Sequence, residues 1–258
     1  MTIHLYTCCY NEIKILPFVV DYWKRTVDRV YVYDNFSNDG SYEFLKQYDW
    51  IDVIRYDSDN KLNDYKLLDI KNNEWKKSRN VADYVIVCDL DECIYTENLK
   101  EVLTSLKESG VVGIIPNMYN LISLDFPEYN SNVLMHDIVD DYYFDMWEDF
   151  EPGKYGMKRK LNIFNPIKIK ESNYKVGCYE YTPEFDGKII NTDDIRCYHL
   201  HDIGLYRKIN RYKERANRMS DDNIRDHLSD FYLDKISDII NDFKYDLKRS
   251  NSLKNNDK

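Results

Sequence analysis

Over residues 1–116, short apolar runs alternate with stretches of helical periodicity, an order that few folds accept. I-H-L-Y-T-C-C-Y (3–10), V-Y-V-Y (30–33), I-D-V-I-R-Y (51–56), V-I-V-C (85–88) and V-V-G-I-I-P (111–116) read as strands. Between them, Ile15, Leu16, Val19, Tyr22 and Trp23 fall at helical spacing, as do Tyr42, Leu45 and Tyr48, and then Tyr65, Leu68 and Trp75. Leu99, Val102, Leu103 and Leu106 form a further helical set, with Thr96 as its expected N-cap. Alternation of this kind predicts an α/β fold with a mostly parallel central sheet covered by helices. In such sheets ligands bind outside the carboxyl ends of the strands. Polar clusters sit at those ends: Asn11-Glu12, Asp34-Asn35, and the run from Asp89 through Asp91 to Glu92.

The last cluster is the most demanding. An apolar strand that ends on three acids within four residues must meet something that wants negative charge, because a packed core rejects unpaired carboxylates. In an extended segment residues i and i+2 point the same way, so Asp89 and Asp91 can address one ion. Hard divalent cations such as Mg²⁺ or Mn²⁺ take oxygen ligands of this kind and keep open positions for phosphate oxygens. A solvated acidic turn is the plainer alternative.

Charge and composition narrow the partners. With 36 Lys and Arg against 46 Asp and Glu, the chain carries −10, which argues against nucleic-acid binding. The N-terminal residues carry no signal-peptide pattern, and no apolar stretch approaches the ~20 residues that span a bilayer. The expectation is a cytoplasmic protein. Cys8, Cys9, Cys88, Cys93, Cys178 and Cys197 form no C-x-x-C pair and read as buried thiols of a reducing compartment. The 24 tyrosines serve packing first, and can line a sugar-binding cleft. From about 117 to 200 the pattern loosens into expected substrate-specific loops, and from Leu205 onward it is helical again. We therefore expect a catalytic domain over 1–204 and a helical extension over 205–258.

T-C-C-Y-N-E, V-Y-V-Y-D-N-F-S-N-D-G-S, I-K-N-N-E-W-K, D-Y-V-I-V-C-D-L-D-E, K-L-N-I-F-N-P and C-Y-H-L-H-D-I-G occur in that order over roughly residues 1 to 220. In these segments the chain resembles the GT-A-fold glycosyltransferases of the family-two-like group. The resemblance implies a Rossmann-like GT-A fold and a metal-dependent transfer of sugar from a nucleotide-diphosphate donor, uridine-linked, to a glycan or lipid-linked glycan, with inversion. It implies Mn²⁺ or Mg²⁺ at Asp89 and Asp91 with His199 returning as a third ligand, His201 being the alternate. It places Thr7, Glu12, Asp34 and Asn35 around the nucleoside, with a carboxylate accepting the pyrimidine N–H, and Lys71 beside the donor. Two other classes, a sugar-phosphate nucleotidyltransferase and a metal-dependent phosphohydrolase, also use strand-end carboxylates. The first lacks its Gly-rich basic loop here, and the second wants Thr or Val where Glu92 stands.

Inversion needs a base on the acceptor side. Glu180 is the first candidate, after the strand-like Y-K-V-G-C-Y, although Cys178-Tyr179 stand where the family carries a histidine. Asp149 in W-E-D-F is the second, because a neighbouring aromatic raises a carboxyl pKa by desolvation. Arg207, Arg211, Arg215 and Arg218 fall on one helical face, read as a solvated surface or as a peripheral contact with anionic headgroups.

Overall fold

The computed structural model describes residues 1–131, 133–144, 146–148, 155–157 and 159–253. In chain order its elements begin with β1 (Ile3–Cys9), α1 (Leu16–Thr26), β2 (Arg29–Asp34), α2 (Ser41–Leu45), β3 (Ile51–Arg55), α3 (Asp64–Asn73), β4 (Tyr84–Val87) and β5 (Glu92–Tyr95). They continue with α4 (Leu99–Glu108), β6 (Val111–Ser123), α5 (Met135–Ile138), β7 (Asp141–Tyr143), β8 (Met146–Glu148), β9 (Tyr155–Met157), β10 (Ile163–Phe164), β11 (Ile169–Glu171) and β12 (Glu184–Phe185). Last come β13 (Lys188–Ile203), α6 (Leu205–Asn217), α7 (Asp221–Arg225), α8 (Ile236–Lys248) and β14 (Asn251–Ser252). The chain divides into two compact units. One comprises Met1–Asn60, Asp64–Asn117 and Arg159–Cys197; the other comprises Lys61–Asn63, Met118–Lys158 and Tyr198–Lys258. The units are interleaved along the chain, Met118–Lys158 falling with Tyr198–Lys258.

The first unit carries the expected parallel sheet, in the order β4-β1-β2-β3. β1 pairs in parallel with β2, bringing Cys9 opposite Asp34, and with β4, bringing Tyr6 opposite Val87. The carboxyl ends of these strands therefore share one edge. β10 then pairs antiparallel to β4 and to β6. Helix α1 follows from its sequence: Pro17 lies in its first turn, where a missing N–H is harmless, and Lys24 and Arg25 suit its C-terminal end. Its apolar stripe of Leu16, Val19, Val20 and Trp23 is at most 3% exposed. A second buried cluster around Trp75, Phe164, Val85 and Val87 packs the other part of this unit. Helix α4 begins later than expected, with Asn98 rather than Thr96 at its N-cap.

The stretch expected to hold loops instead contains two long strands, β6 with 13 residues and β13 with 16. β13 is hard to read from sequence because exposed Asp193 and Asp194 interrupt it before buried Ile195 and Cys197. In the second unit α6 packs through Tyr212, Ile209 and Ala216 against Met219, Tyr232 and Ile239, while Phe243 of α8 meets Ile122 and Tyr143. Ser220 caps α7 by accepting from the Asn223 N–H at 3.1 Å. The arginine stripe of α6 is not a continuous solvated or headgroup-facing surface. Arg207 and Arg218 are 7% and 8% exposed, Arg207 donates to the Leu200 carbonyl at 2.9 Å, and Arg215 reaches the Tyr232 hydroxyl. Among the described residues no helix is long and apolar enough to cross a membrane. All six cysteines are free thiols.

Candidate active site

β4 ends at Val87, and the chain then folds back on itself. The Asp89 N–H donates to Glu92 Oε2 at 3.0 Å while the Glu92 N–H donates to the Asp89 carbonyl at 3.0 Å. This reciprocal bond turns Glu92 inward, where it is fully buried. A buried carboxylate demands a partner, and Lys160 supplies it: its Nζ lies 2.5 Å from Glu92 Oε1 and 2.6 Å from Asp89 Oδ2. Lys71, from the last turn of α3, pairs with Asp89 Oδ1. Both lysine side chains are under 10% exposed, whereas the Asp89 side chain is 40% exposed. Asp89 thus presents the open face of a buried charge cluster.

The electrostatics follow from this packing. Burial alone would raise the Asp89 carboxyl, but Lys160 and Lys71 outweigh it and hold the group well below the usual carboxylate range. Burial would lower the Lys160 ammonium, yet Asp89 and Glu92 carry it above its ordinary value. The position of Lys160 is fixed by its neighbour Asn162. The Val87 N–H donates to the Asn162 carbonyl at 2.8 Å, and Asn162 Nδ2 donates to the Val87 carbonyl at 3.1 Å. Asn72, beside Lys71, bonds not to the acids but to the 172–174 segment, accepting from Ser172 Oγ and the Tyr174 N–H at 2.9 Å each.

At the end of β2, Asp34 is fully buried. Its Oδ2 accepts from the Ser37 N–H at 3.1 Å and lies 4.0 Å from Arg55 Nε. Among the described residues its Oδ1 has no hydrogen-bond partner, and neither does the hydroxyl of Thr7 on β1. Burial raises the Asp34 carboxyl. Asn35 is committed elsewhere, donating to the Tyr56 carbonyl at 3.2 Å and accepting from Ser58 Oγ at 3.1 Å. Glu12 is buried, and its backbone joins the two exit loops through Ser41 Oγ at 2.9 Å. Asp34 and Thr7 therefore keep unmet hydrogen-bonding capacity at the strand ends, while Asn35 braces the loop.

The implied divalent ion can be weighed against this donor set. Asp91 is 3% exposed and lies close enough to raise the Asp89 carboxyl. Two carboxylates, Asp89 and Glu92, pair with two ammonium groups, Lys71 and Lys160, and Asp91 adds a third carboxylate beside Asp89. An ionised carboxylate offers about four lone-pair sites, so the two ion pairs do not exhaust Asp89. Carboxylate oxygens are the donors that a hard cation takes. Among the described residues no group of three or more His, Cys, Asp and Glu surrounds a common point.

The structure corrects the setting of Glu180. Y-K-V-G-C-Y is not a strand but a turn closed by the Tyr174–Tyr181 bridge, with Gly177 and Cys178 both in the left-handed region at φ +78° and +62°. Glu180 is exposed beside Tyr179, whose ring centroid lies 4.5 Å from Lys160 Nζ. Asp149 lies outside the described residues. Lys160 itself was not singled out from sequence, although K-L-N-I-F-N-P contains it.

His199 belongs to the second unit, where its Nδ1 lies 2.7 Å from Asn120 Oδ1. Next to it His201 Nδ1 lies 3.0 Å from Asp202 Oδ1, and Lys208 Nζ lies 2.6 Å from the same oxygen. Burial, reinforced by Lys208 and Arg211, outweighs Asp202 and lowers His201 to about 4. An unfolded histidine titrates near 6.5. The unfolded chain therefore binds more protons between these values, and stability is lost as pH falls from about 6.5 to 4, by up to about 3 kcal/mol. His201→Gln should remove that component, measured as a flatter dependence of the urea midpoint on pH; an unchanged slope would exclude His201 as its source.

A family model described as Glycosyl transferase family 2 matches residues 5–169. Among solved structures, the chain is similar to S. aureus TarS, at a TM-score of 0.45 and 14% identity over 90% of this chain and 43% of that one. It is also similar to S. aureus TarS 1–349, at 0.43 and 13% identity over 90% and 71%. Against S. aureus TarS 1–349 in complex with UDP the score is 0.39 at 15% identity, over 50% of this chain and only 38% of the other. No curated protein matches the chain.

Proposed function

We propose that this chain, which belongs to glycosyl transferase family 2, moves a sugar from a uridine diphosphate donor to a hydroxyl of a glycan or lipid-linked glycan, with inversion. The observation that carries the reading is the buried Lys71–Asp89–Lys160 cluster on the same sheet edge as Asp34. Family membership removes the ground for the nucleotidyltransferase and phosphohydrolase alternatives.

In this reading the residues divide the work. Asp34 accepts the pyrimidine N–H through Oδ1, the buried oxygen that lacks a partner. Lys71 and Lys160, both anchored on Asp89, provide fixed positive charge near the diphosphate, and preorganised charge of this kind stabilises a leaving group without rearrangement. Asp89 and Asp91 would hold Mn²⁺ or Mg²⁺, which neutralises charge on the departing diphosphate. Glu180, exposed on a turn whose Tyr179 touches Lys160, would take the proton from the acceptor hydroxyl.

A thermal-shift comparison of uridine and guanosine diphosphates with Mn²⁺ tests the donor reading, because a ligand that binds only the native state raises the midpoint. Uridine diphosphate should give the larger shift, since a slot for a pyrimidine fits a purine poorly. Equal or greater stabilisation by guanosine diphosphate would overturn the base assignment.

A further inference from the structure

Phe36 occupies a backbone conformation that its side chain disfavours, at φ +56°, and is 46% exposed. A bulky residue in the left-handed region is a conformational outlier, and Gly or Asn would serve such a turn with less strain. Core packing does not account for it. The Ser37 N–H to Asp34 Oδ2 bond closes the turn on which Phe36 sits, two residues beyond the carboxylate whose Oδ1 has no partner. Nor is the ring loose. The Arg55 guanidinium lies 4.9 Å from its centroid and 4.0 Å from that of Tyr42, with Arg55 Nε 4.0 Å from Asp34 Oδ2. One cation thus ties an exposed aromatic face to the edge of the buried carboxylate.

We propose that Phe36 is the residue on which the nucleobase of the donor stacks, with Arg55 fixing the ring and Asp34 reading the base edge. This rests on the nucleotide-donor reading above. A planar aromatic supplies the face and a carboxylate supplies the edge, and the two contacts are complementary. Strained backbone of this kind concentrates at ligand-binding sites.

The inference separates affinity from stability. Phe36→Gly relieves the left-handed strain, so the thermal midpoint should stay level or rise. The affinity for uridine diphosphate, measured calorimetrically with Mn²⁺, should fall about tenfold or more, the size expected for loss of one base–aromatic stack. Phe36→Trp keeps the strain and the stack, and should bind within a few-fold of the unaltered protein. A Phe36→Gly protein that binds within twofold of the parent, or a Phe36→Trp protein as weak as Phe36→Gly, overturns the proposal. An unaltered protein that binds no uridine diphosphate overturns the donor reading, and this inference falls with it.

Discussion

Replacing Lys160 by Met should destabilise the protein by about 3–5 kcal/mol, the usual consequence of removing one partner from a buried ion pair. Lys160 is 4% exposed and its Nζ bridges Asp89 and Glu92. Glu92 has no exposure at all, and without the ammonium its carboxylate stands uncompensated in the interior. For a chain of this size that loss corresponds to a fall in melting temperature of roughly 10 °C. The double variant Lys160→Met/Glu92→Met should recover much of the stability, since apolar groups of similar volume can replace a buried pair. A Lys160→Met protein as stable as the parent would mean that the cluster is solvated. The pH dependence has a definite sign. The depressed carboxyl of Asp89 contributes stability above the ordinary carboxylate range near 3.9, lost only as pH falls through its lowered value. The elevated ammonium of Lys160 contributes below about 10.4 and is lost only as pH rises through its raised value. The cluster is intact across the neutral range.

Glu180→Gln should lower kcat by ~10² or more while leaving donor affinity unchanged. The substitution keeps shape and exposure but cannot accept a proton. Because Glu180 is exposed on a turn held by backbone bonds, such as the Lys175 N–H to the Glu180 carbonyl at 2.9 Å, its side chain is not needed for folding. Steady-state kinetics with the matching donor would decide the point. Turnover near that of the parent removes Glu180 from the mechanism, and a product of retained configuration removes the need for a base.

What the sequence made legible was local. β1, β2, β3 and β4 announce themselves because each is a short apolar run followed by turn-forming or acidic residues, and their alternation with helices leaves little choice but a parallel sheet. The acids at 89–92 were readable for the same reason: charge directly after a buried strand stands out, although a solvated acidic turn also accounts for it. Lys160 was not, because its role depends on pairing with Asp89 across 71 residues of sequence. Periodicity carries no information at that separation. β13 hid behind Asp193 and Asp194, which break its apolar alternation. Residues 174–179 read as strand-like because V-G-C-Y is apolar enough, and the left-handed φ of Gly177 and Cys178 turns the segment instead. The arginines of α6 show the converse failure. Spacing placed them on one face, but could not say that Arg207 and Arg218 are buried.

The most direct test is calorimetric titration of uridine diphosphate into the full chain, with Mn²⁺ and with chelator, for the parent protein and for Asp91→Asn. Asp91 lies close enough to Asp89 to raise its carboxyl, and in the proposed reading the two share the cation that neutralises the departing diphosphate. The account predicts Mn²⁺-dependent binding by the parent, and loss of most of that binding in an Asp91→Asn protein that remains folded. Equal affinity in the two proteins with Mn²⁺, or binding by the parent that chelation leaves untouched, would contradict it.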